Sequence, residues 1–371
     1  MIAEVHRRSI RAAGAELAGV LASSPSRSAE VAAAWATRGY ADLEELLADD
    51  SVDVVHICTP NRTHAEYAER ALAAGKHVVC EKPLAVTAAE AERLSACAER
   101  SGLVATVPFV YRYHPLVREI RARRIAGEFG GWNLIHGSYL QDWMLNPDTS
   151  GWRVDPSEGG ASRTFADIGS HWCDLVEWVT GERFAELTAR ATTVVAERPA
   201  AGGKSFSEED GGTETTRLPV TTEDAGALLL RTERGVLASA TVSQVSAGRK
   251  NRLWFELDGA LGSAVFDQEQ PETVWLGGPD ENRILHRGAG SVSPEQQRLN
   301  IIPPGHPQGY ADCFAAFVAD TYAAIDAAGT GGTTTNGQAP EGLPTFADGL
   351  RAVRIVEAFL SSSRTGNWTK V

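Results

Sequence analysis

The sequence of 371 residues has no block of lysines and arginines to offset its formal charge of −13. So acidic a surface repels a polyanion, and nucleic acid is not an expected partner. No apolar run approaches the roughly 18–20 residues that a membrane span requires. Residues 1–8 also lack the basic-then-apolar order of a secretion signal. A soluble, cytoplasmic chain with no membrane partner is therefore expected. C-x-x-C pairs are missing too. The five cysteines, Cys58, Cys80, Cys97, Cys173 and Cys313, are odd in number and far apart. They read as small core residues of a reducing compartment rather than as a disulfide or zinc framework. Lysine itself is scarce, with five among 35 basic residues. A lysine kept in such a chain points to a need for an ammonium that a guanidinium cannot meet.

What is present is an ordinary globular composition of a length that suits two domains. In the first part, short apolar runs alternate with amphipathic stretches. Residues 53–58 (Asp-Val-Val-His-Ile-Cys) are β-branched and almost continuously apolar, as a strand buried on both faces must be. Strands are expected at 16–22, 53–58, 77–80 and 103–109, and helices at 28–38, 42–48, 64–74 and 87–100. This alternation implies right-handed crossovers and a doubly wound parallel sheet, which binds ligands outside the carboxyl ends of its strands. Those ends fall near Ala22–Ser24, Thr59–Asn61 and Cys80–Pro83. In the second part, strand-like segments at 132–143, 186–196, 224–232, 235–246, 251–258, 262–267 and 272–276 follow one another without intervening helices. That pattern predicts a mainly antiparallel sheet, covered by helices near 170–180, 307–327 and 346–362. Stretches 197–222 and 328–343 read as surface loops. Arg118, Arg121, Arg123 and Arg124 share one predicted helix and read as a solvated face.

Two segments carry chemistry. Cys80-Glu81-Lys82-Pro83 ends a strand at the ligand-binding edge, where Lys82 is either a tunable donor or half of a solvated Glu–Lys pair. Asp167-Ile-Gly-Ser-His171-Trp-Cys-Asp174 opens a predicted helix. Asp167 would cap it, His171 would sit in the first turn as a neutral imidazole, and Asp174 would orient the ring. A satisfied structural histidine is the competing reading. With no further His or Cys nearby in sequence, no metal is expected.

Taken together, Thr59-Pro60-Asn61-Arg62-Thr63-His64, Cys80-Glu81-Lys82-Pro83 and Asp167-x-Gly-x-His171-x-x-Asp174 resemble the Gfo/Idh/MocA family along almost the whole chain. The resemblance implies a Rossmann-type α/β domain at 1–112. An α+β substrate-binding and oligomerisation domain with a large open sheet would follow at 113–371. It implies hydride transfer between NAD(P) and a hydroxyl-bearing carbon of a sugar or polyol, in a homo-oligomer (dimer or tetramer) built through the open sheet face. Glycoside cleavage by transient oxidation, or a non-catalytic binding protein, are the rival functions. On this resemblance Lys82 hydrogen-bonds the reacting hydroxyl, His171 is the acid/base and Asp167 binds substrate hydroxyls and supports that pair. A cis Lys82–Pro83 bond is also implied. Thr59, Pro60, Asn61, His64, Glu81 and Lys82 fall at the cofactor. Arg112 falls at cofactor or substrate, and Trp152 and Arg153 at substrate. Tyr139, Gln141, Asp142, Trp143 and His306 are further pocket candidates, with core packing as the alternative for each Trp.

The glycine-rich turn that opens a Rossmann domain is not in the sequence. Met1–His6 resembles the stretch just after its second glycine, with Ala3 at the third-glycine position. The recorded start is read as lying inside a longer frame, by roughly 10 residues of strand and turn. No acid follows the strand at 16–22. Ser23, Ser24 and Arg27 stand there instead, which leans the cofactor expectation towards NADP over NAD.

Overall fold

The computed structural model describes residues 2–200, 216–290, 292–329 and 340–371. Its first part alternates as expected: α1 (Ile2–Ala12), β1 (Gly19–Val20), α2 (Pro25–Trp35), β2 (Arg38–Gly39), α3 (Leu43–Leu47), β3 (Val54–Ile57), α4 (His64–Ala73), β4 (His77–Cys80), α5 (Ala88–Ser101) and β5 (Ala105–Thr106). Local chemistry sets the boundaries. Ser24 caps α2 ahead of Pro25 at its first turn, and Thr87 and Glu90 form a reciprocal capping box on α5, which Gly102 ends in a left-handed conformation. The parallel strands form two ribbons, β1–β2 and β3–β4–β5, and no ladder joins β1 to β3 among the described residues.

After α6 (Pro115–Ile125) come β6 (Trp132–Leu140), α7 (Pro156–Gly159), α8 (Ser170–Thr180), β7 (Phe184–Thr192), β8 (Glu197–Pro199), β9 (Arg217–Pro219), β10 (Ala225–Thr232), β11 (Leu237–Ser243), β12 (Arg252–Gly259), β13 (Ser263–Asp267), β14 (Thr273–Gly277) and β15 (Asn282–His286). Then follow α9 (Pro294–Leu299), α10 (Tyr310–Gly329), α11 (Phe346–Thr365) and β16 (Thr369–Lys370). Nine strands form one sheet in the order β15-β14-β13-β12-β6-β11-β10-β7-β16. Every pairing is antiparallel except β11 with β6. Strand residues alternate buried with exposed in β10 and buried with half-buried in β12, because helices cover one face and the other lies open.

The stretch before β6 and the sheet domain are tied by α11. Its Phe346, Ala352 and Val353 pack with Leu84 and Val107 of the first core, and its Ile355, Ala358 and Phe359 enter the core of the large sheet. Strand β15 and helix α9 had no reading from sequence. Part of 197–222 pairs as β8 with β9, while 201–215 and 330–339 of the expected loops lie outside the described residues.

The expectation of a solvated arginine face on α6 is corrected. Arg118 is 1% exposed, lies over Tyr113 and Trp178, and donates to Glu295 and to the carbonyls of Arg112 and Glu341. Arg121 also stacks on Trp178. A planar guanidinium can satisfy carbonyls and stack at once, which lets it pack where an ammonium could not.

Candidate active site

The site lies where β4 ends. The Lys82–Pro83 peptide is cis, and from that turn the Lys82 ammonium reaches Asp167 across 85 residues of chain. It donates to Asp167 Oδ1 at 2.6 Å and to the Asp167 carbonyl at 2.9 Å. The second Asp167 oxygen accepts from Gln244 Nε2 at 2.7 Å, and Gln244 is fully buried at the end of β11. Burial works against the Asp167 charge, but the Lys82 ammonium, with Arg153 behind it, outweighs that and holds the carboxyl below the usual carboxylate range.

Asp167 sits in a π-helical turn, Phe165–Gly169, that runs directly into α8. Helical backbone therefore starts earlier than the sequence suggests. Asp167 is no cap, and His171 does not occupy a first turn. Single π turns widen a helix by one residue and are frequent at functional sites. Gly169 is required there, since a β-carbon would meet the Phe165 ring at 2.3 Å.

His171 is buried against the rings of Phe109, Tyr111 and Tyr139. Burial first, and then the Lys82 cation, push its pKa down to about 3, against smaller opposing effects of Asp167 and Glu81. The imidazole is neutral for this reason, rather than through a helix dipole. Its Nδ1 is buried with no hydrogen-bond partner among the described residues. An orphaned polar atom in a buried site is what a ligand-binding pocket presents.

Asp174 does not orient His171. Arg112 embraces it, donating from Nε at 2.9 Å and making a second, shorter contact to its other oxygen. The same guanidinium donates to Asp348 at 2.8 Å. The structure thus places Arg112 in a buried ion network that joins α8 to α11, outside the cleft.

The cleft beside Lys82 holds about 280 Å³ counted to its open mouth and is lined by Asn61, Pro83, Trp152, Arg153, Arg163 and Asp167, among others. Arg153 lies over the Trp152 ring at 4.3 Å. Asn61 donates to the Gly159 carbonyl at 2.8 Å. His64 lies between the carbonyls of Pro83 and Thr59, at 2.8 and 2.9 Å. It thereby brackets the loops after β3 and β4, and Pro60 accepts from Thr63 in the same loop. Glu81 faces inward, with one oxygen on His6 at 3.0 Å and the other on the Lys82 backbone amide at 3.1 Å. Ser23 and Ser24 lie beyond β1, where Ser24 Oγ accepts from the Arg27 amide at 3.2 Å. The Arg27 guanidinium pairs with Glu30.

Tyr139, Gln141 and Trp143 are among the expected candidates, but two residues that bond to them, Tyr111 and Asn251, were not read from sequence. Tyr111 and Tyr139 share a hydroxyl contact of 2.6 Å, and Asn251 bonds to both. Gln141 bonds to Asn251 and to Trp143. Asp142 instead pairs with Lys250 at the surface, and His306 lies exposed in a loop. Only sheet pairing brings β6 and β12 together here, so no local motif announces Asn251.

The site fits a dinucleotide on grounds of its own. The carboxyl ends of β1, β3 and β4 present Ser23–Ser24, Thr59–Asn61 and Glu81–Lys82 at the edge where such sheets take nucleotides, and the charges of Glu81 and Lys82 act on His171. Residues 1–109 match the oxidoreductase family with an NAD-binding Rossmann fold, GFO/IDH/MocA, and residues 117–265 match the GFO/IDH/MocA C-terminal domain. The chain belongs to the GFO/IDH/MocA oxidoreductase family. It is 31% identical over 337 residues to a levoglucosan dehydrogenase of Pseudarthrobacter phenanthrenivorans, covering 89% of this chain and 83% of that one. Its fold is similar to that of an oxidoreductase domain protein from Kribbella flavida, with a TM-score of 0.88 at 32% identity over 100% of this chain and 96% of the other. It is also similar to an inositol dehydrogenase homolog from Azotobacter vinelandii complexed with NADH and myo-inositol, with a TM-score of 0.86 at 26% identity over 100% and 94%. Among the described residues no helix is long and apolar enough to cross a membrane, and all five cysteines are free.

Proposed function

We propose that this protein moves a hydride between a hydroxyl-bearing carbon of a sugar or polyol and the nicotinamide of NAD(P). The observation that carries the reading is the Lys82–Asp167 pair standing beside a buried, neutral His171. When bound, the nicotinamide supplies the hydride acceptor. The rest falls to the chain. Oxidising an alcohol removes a hydride from carbon and a proton from oxygen as the carbonyl forms. His171, neutral at physiological pH, takes that proton. Lys82 donates a hydrogen bond to the reacting oxygen, and Asp167 holds the ammonium in place while accepting from neighbouring substrate hydroxyls. A positioned base of this kind contributes about 10²–10⁴-fold. Trp152 offers a flat apolar surface for a sugar face and Arg153 a donor at its edge.

In this reading residues 1–112 hold the dinucleotide and 113–371 shape the substrate side. Copies would pair through the open face of the sheet, where Leu134, Leu229, Leu237 and Ile284 are exposed, in a cytoplasmic enzyme. The missing acid after β1 favours NADP, whereas the Azotobacter relative is described with NADH. A comparison of KM for the two cofactors decides between them. Absorbance of the reduced nicotinamide against a panel of sugars and polyols tests the reading itself, and net turnover also separates it from glycoside cleavage with a retained cofactor.

A further inference from the structure

The open face of the nine-stranded sheet carries a group of side chains for which the cleft chemistry has no use. In the antiparallel pairing of β12 with β6, Glu256 stands directly opposite His136, and Asp258 follows two residues along the strand. All three side chains therefore leave the sheet on the same face. One donor atom from each lies within 4.8 Å of the others.

The spacing is that of ligands around an ion. His136 Nε2 is 3.6 Å from a Glu256 oxygen and 3.7 Å from an Asp258 oxygen, too far for a hydrogen bond. With metal–ligand bonds of about 2.0–2.2 Å, donor atoms around a tetrahedral centre lie roughly 3.3–3.5 Å apart. A contraction of a few tenths of an ångström would bring both His136 separations to that spacing, and the two carboxylates, within 4.8 Å of each other, would close on the ion from either side.

Charge points the same way. Neither carboxylate has a lysine or arginine within ion-pair distance among the described residues. Arg252, on the same face of β12, turns to Asp267 at 3.0 Å and lies over Trp254. Elsewhere on the sheet an arginine meets the carboxylate, as Arg231 does Glu186. Two adjacent half-buried carboxylates repel unless a cation lies between them.

Neighbouring groups also fix the donors. The Trp254 ring packs edge-on against His136 at 5.3 Å, and Ser263 Oγ donates to the other Asp258 oxygen at 3.0 Å. Supporting contacts of this kind orient ligands at metal sites.

We propose that His136, Glu256 and Asp258 bind one divalent transition-metal ion, Zn²⁺ by donor set, with water, or a donor from a copy paired on this face, completing its shell and the ion tying β6 to β12. The test uses the full chain, without a histidine tag and stripped by chelator, loaded with Zn²⁺ and desalted. Wild type should retain one equivalent more zinc than His136→Ala, and competition with a chromophoric chelator should show affinity at least tenfold weaker in His136→Ala and in the isosteric Glu256→Gln. Co²⁺ substitution should give visible d–d bands without the near-ultraviolet charge-transfer band of a thiolate ligand. Equal zinc content and affinity in wild type and both variants would overturn the proposal. So would a cobalt spectrum dominated by thiolate charge transfer, which assigns the ion to a cysteine. Oxidoreductase activity should be the same in all three proteins.

Discussion

The Lys82 ammonium donates to two oxygens of a single residue, the carboxylate of Asp167 at 2.6 Å and its backbone carbonyl at 2.9 Å. One side chain thus locks both the charge and the backbone of the π turn to the end of β4. The cleft geometry therefore depends on Lys82 twice, as donor and as strut. Lys82→Met should lower kcat by about 10²–10⁴-fold, and Asp167→Asn, which leaves an ammonium facing a neutral amide, should lower it less while raising KM. Steady-state kinetics on both variants check the order.

Gly169→Ala tests the π turn itself. The added methyl would press on the Phe165 ring, and overpacking of this kind costs about 1–3 kcal/mol. Because the displaced turn carries Asp167, activity should fall further than the shift in urea midpoint accounts for. A variant that loses stability alone would separate the turn from the chemistry.

Arg112→Ala should act on stability rather than on substrate. It strands Asp174, 8% exposed, with no countercharge, and breaking one half of a buried pair costs about 3–5 kcal/mol. Chemical denaturation should show that loss, while KM for substrate and cofactor in the folded fraction stays near wild type. A raised KM at unchanged stability would return Arg112 to the substrate side.

This assignment also marks what the sequence can carry. Lys82, Asp167 and His171 are legible because each stands in a short motif at a strand end or helix start. The alternation over residues 16–109 is legible because strands buried on both faces need unbroken apolar runs. The second partner of Arg112, Asp348, lies 236 residues away, and Gln244 meets Asp167 across 77. No local pattern can announce such pairs. His136 and Glu256 likewise become neighbours only through the pairing of β6 with β12. The start of α8 at Ser170 agrees with the expected helix at 170–180, but the π turn ahead of it is illegible for a different reason: such a turn has no propensity of its own and exists here because Gly169 lets Phe165 lie close.

Two histidines should shape the pH dependence of stability in opposite directions. His171, with its pKa lowered to about 3, resists protonation when folded. Its contribution is present above the ordinary histidine value near 6.5 and is lost as pH falls towards 3. His6 is buried, which opposes its charge, but the Cys58 sulfur and the Glu81 carboxylate push its pKa up to about 10. Its contribution is present below about 6.5 and is lost as pH rises through 10. Urea midpoints from pH 4 to 10 should therefore show a shallower acid slope in His171→Gln and a shallower alkaline slope in His6→Gln. Unchanged slopes would contradict both assignments.

The central claim is that Lys82 and His171 together run hydride transfer on a hydroxyl-bearing carbon. The most direct measurement follows reduced-nicotinamide absorbance with wild type, Lys82→Ala and His171→Ala across neutral sugars and polyols with NAD and NADP. Turnover by wild type on at least one substrate, lost by about 10²-fold or more in each variant, is the predicted result. Turnover that survives both substitutions would contradict it.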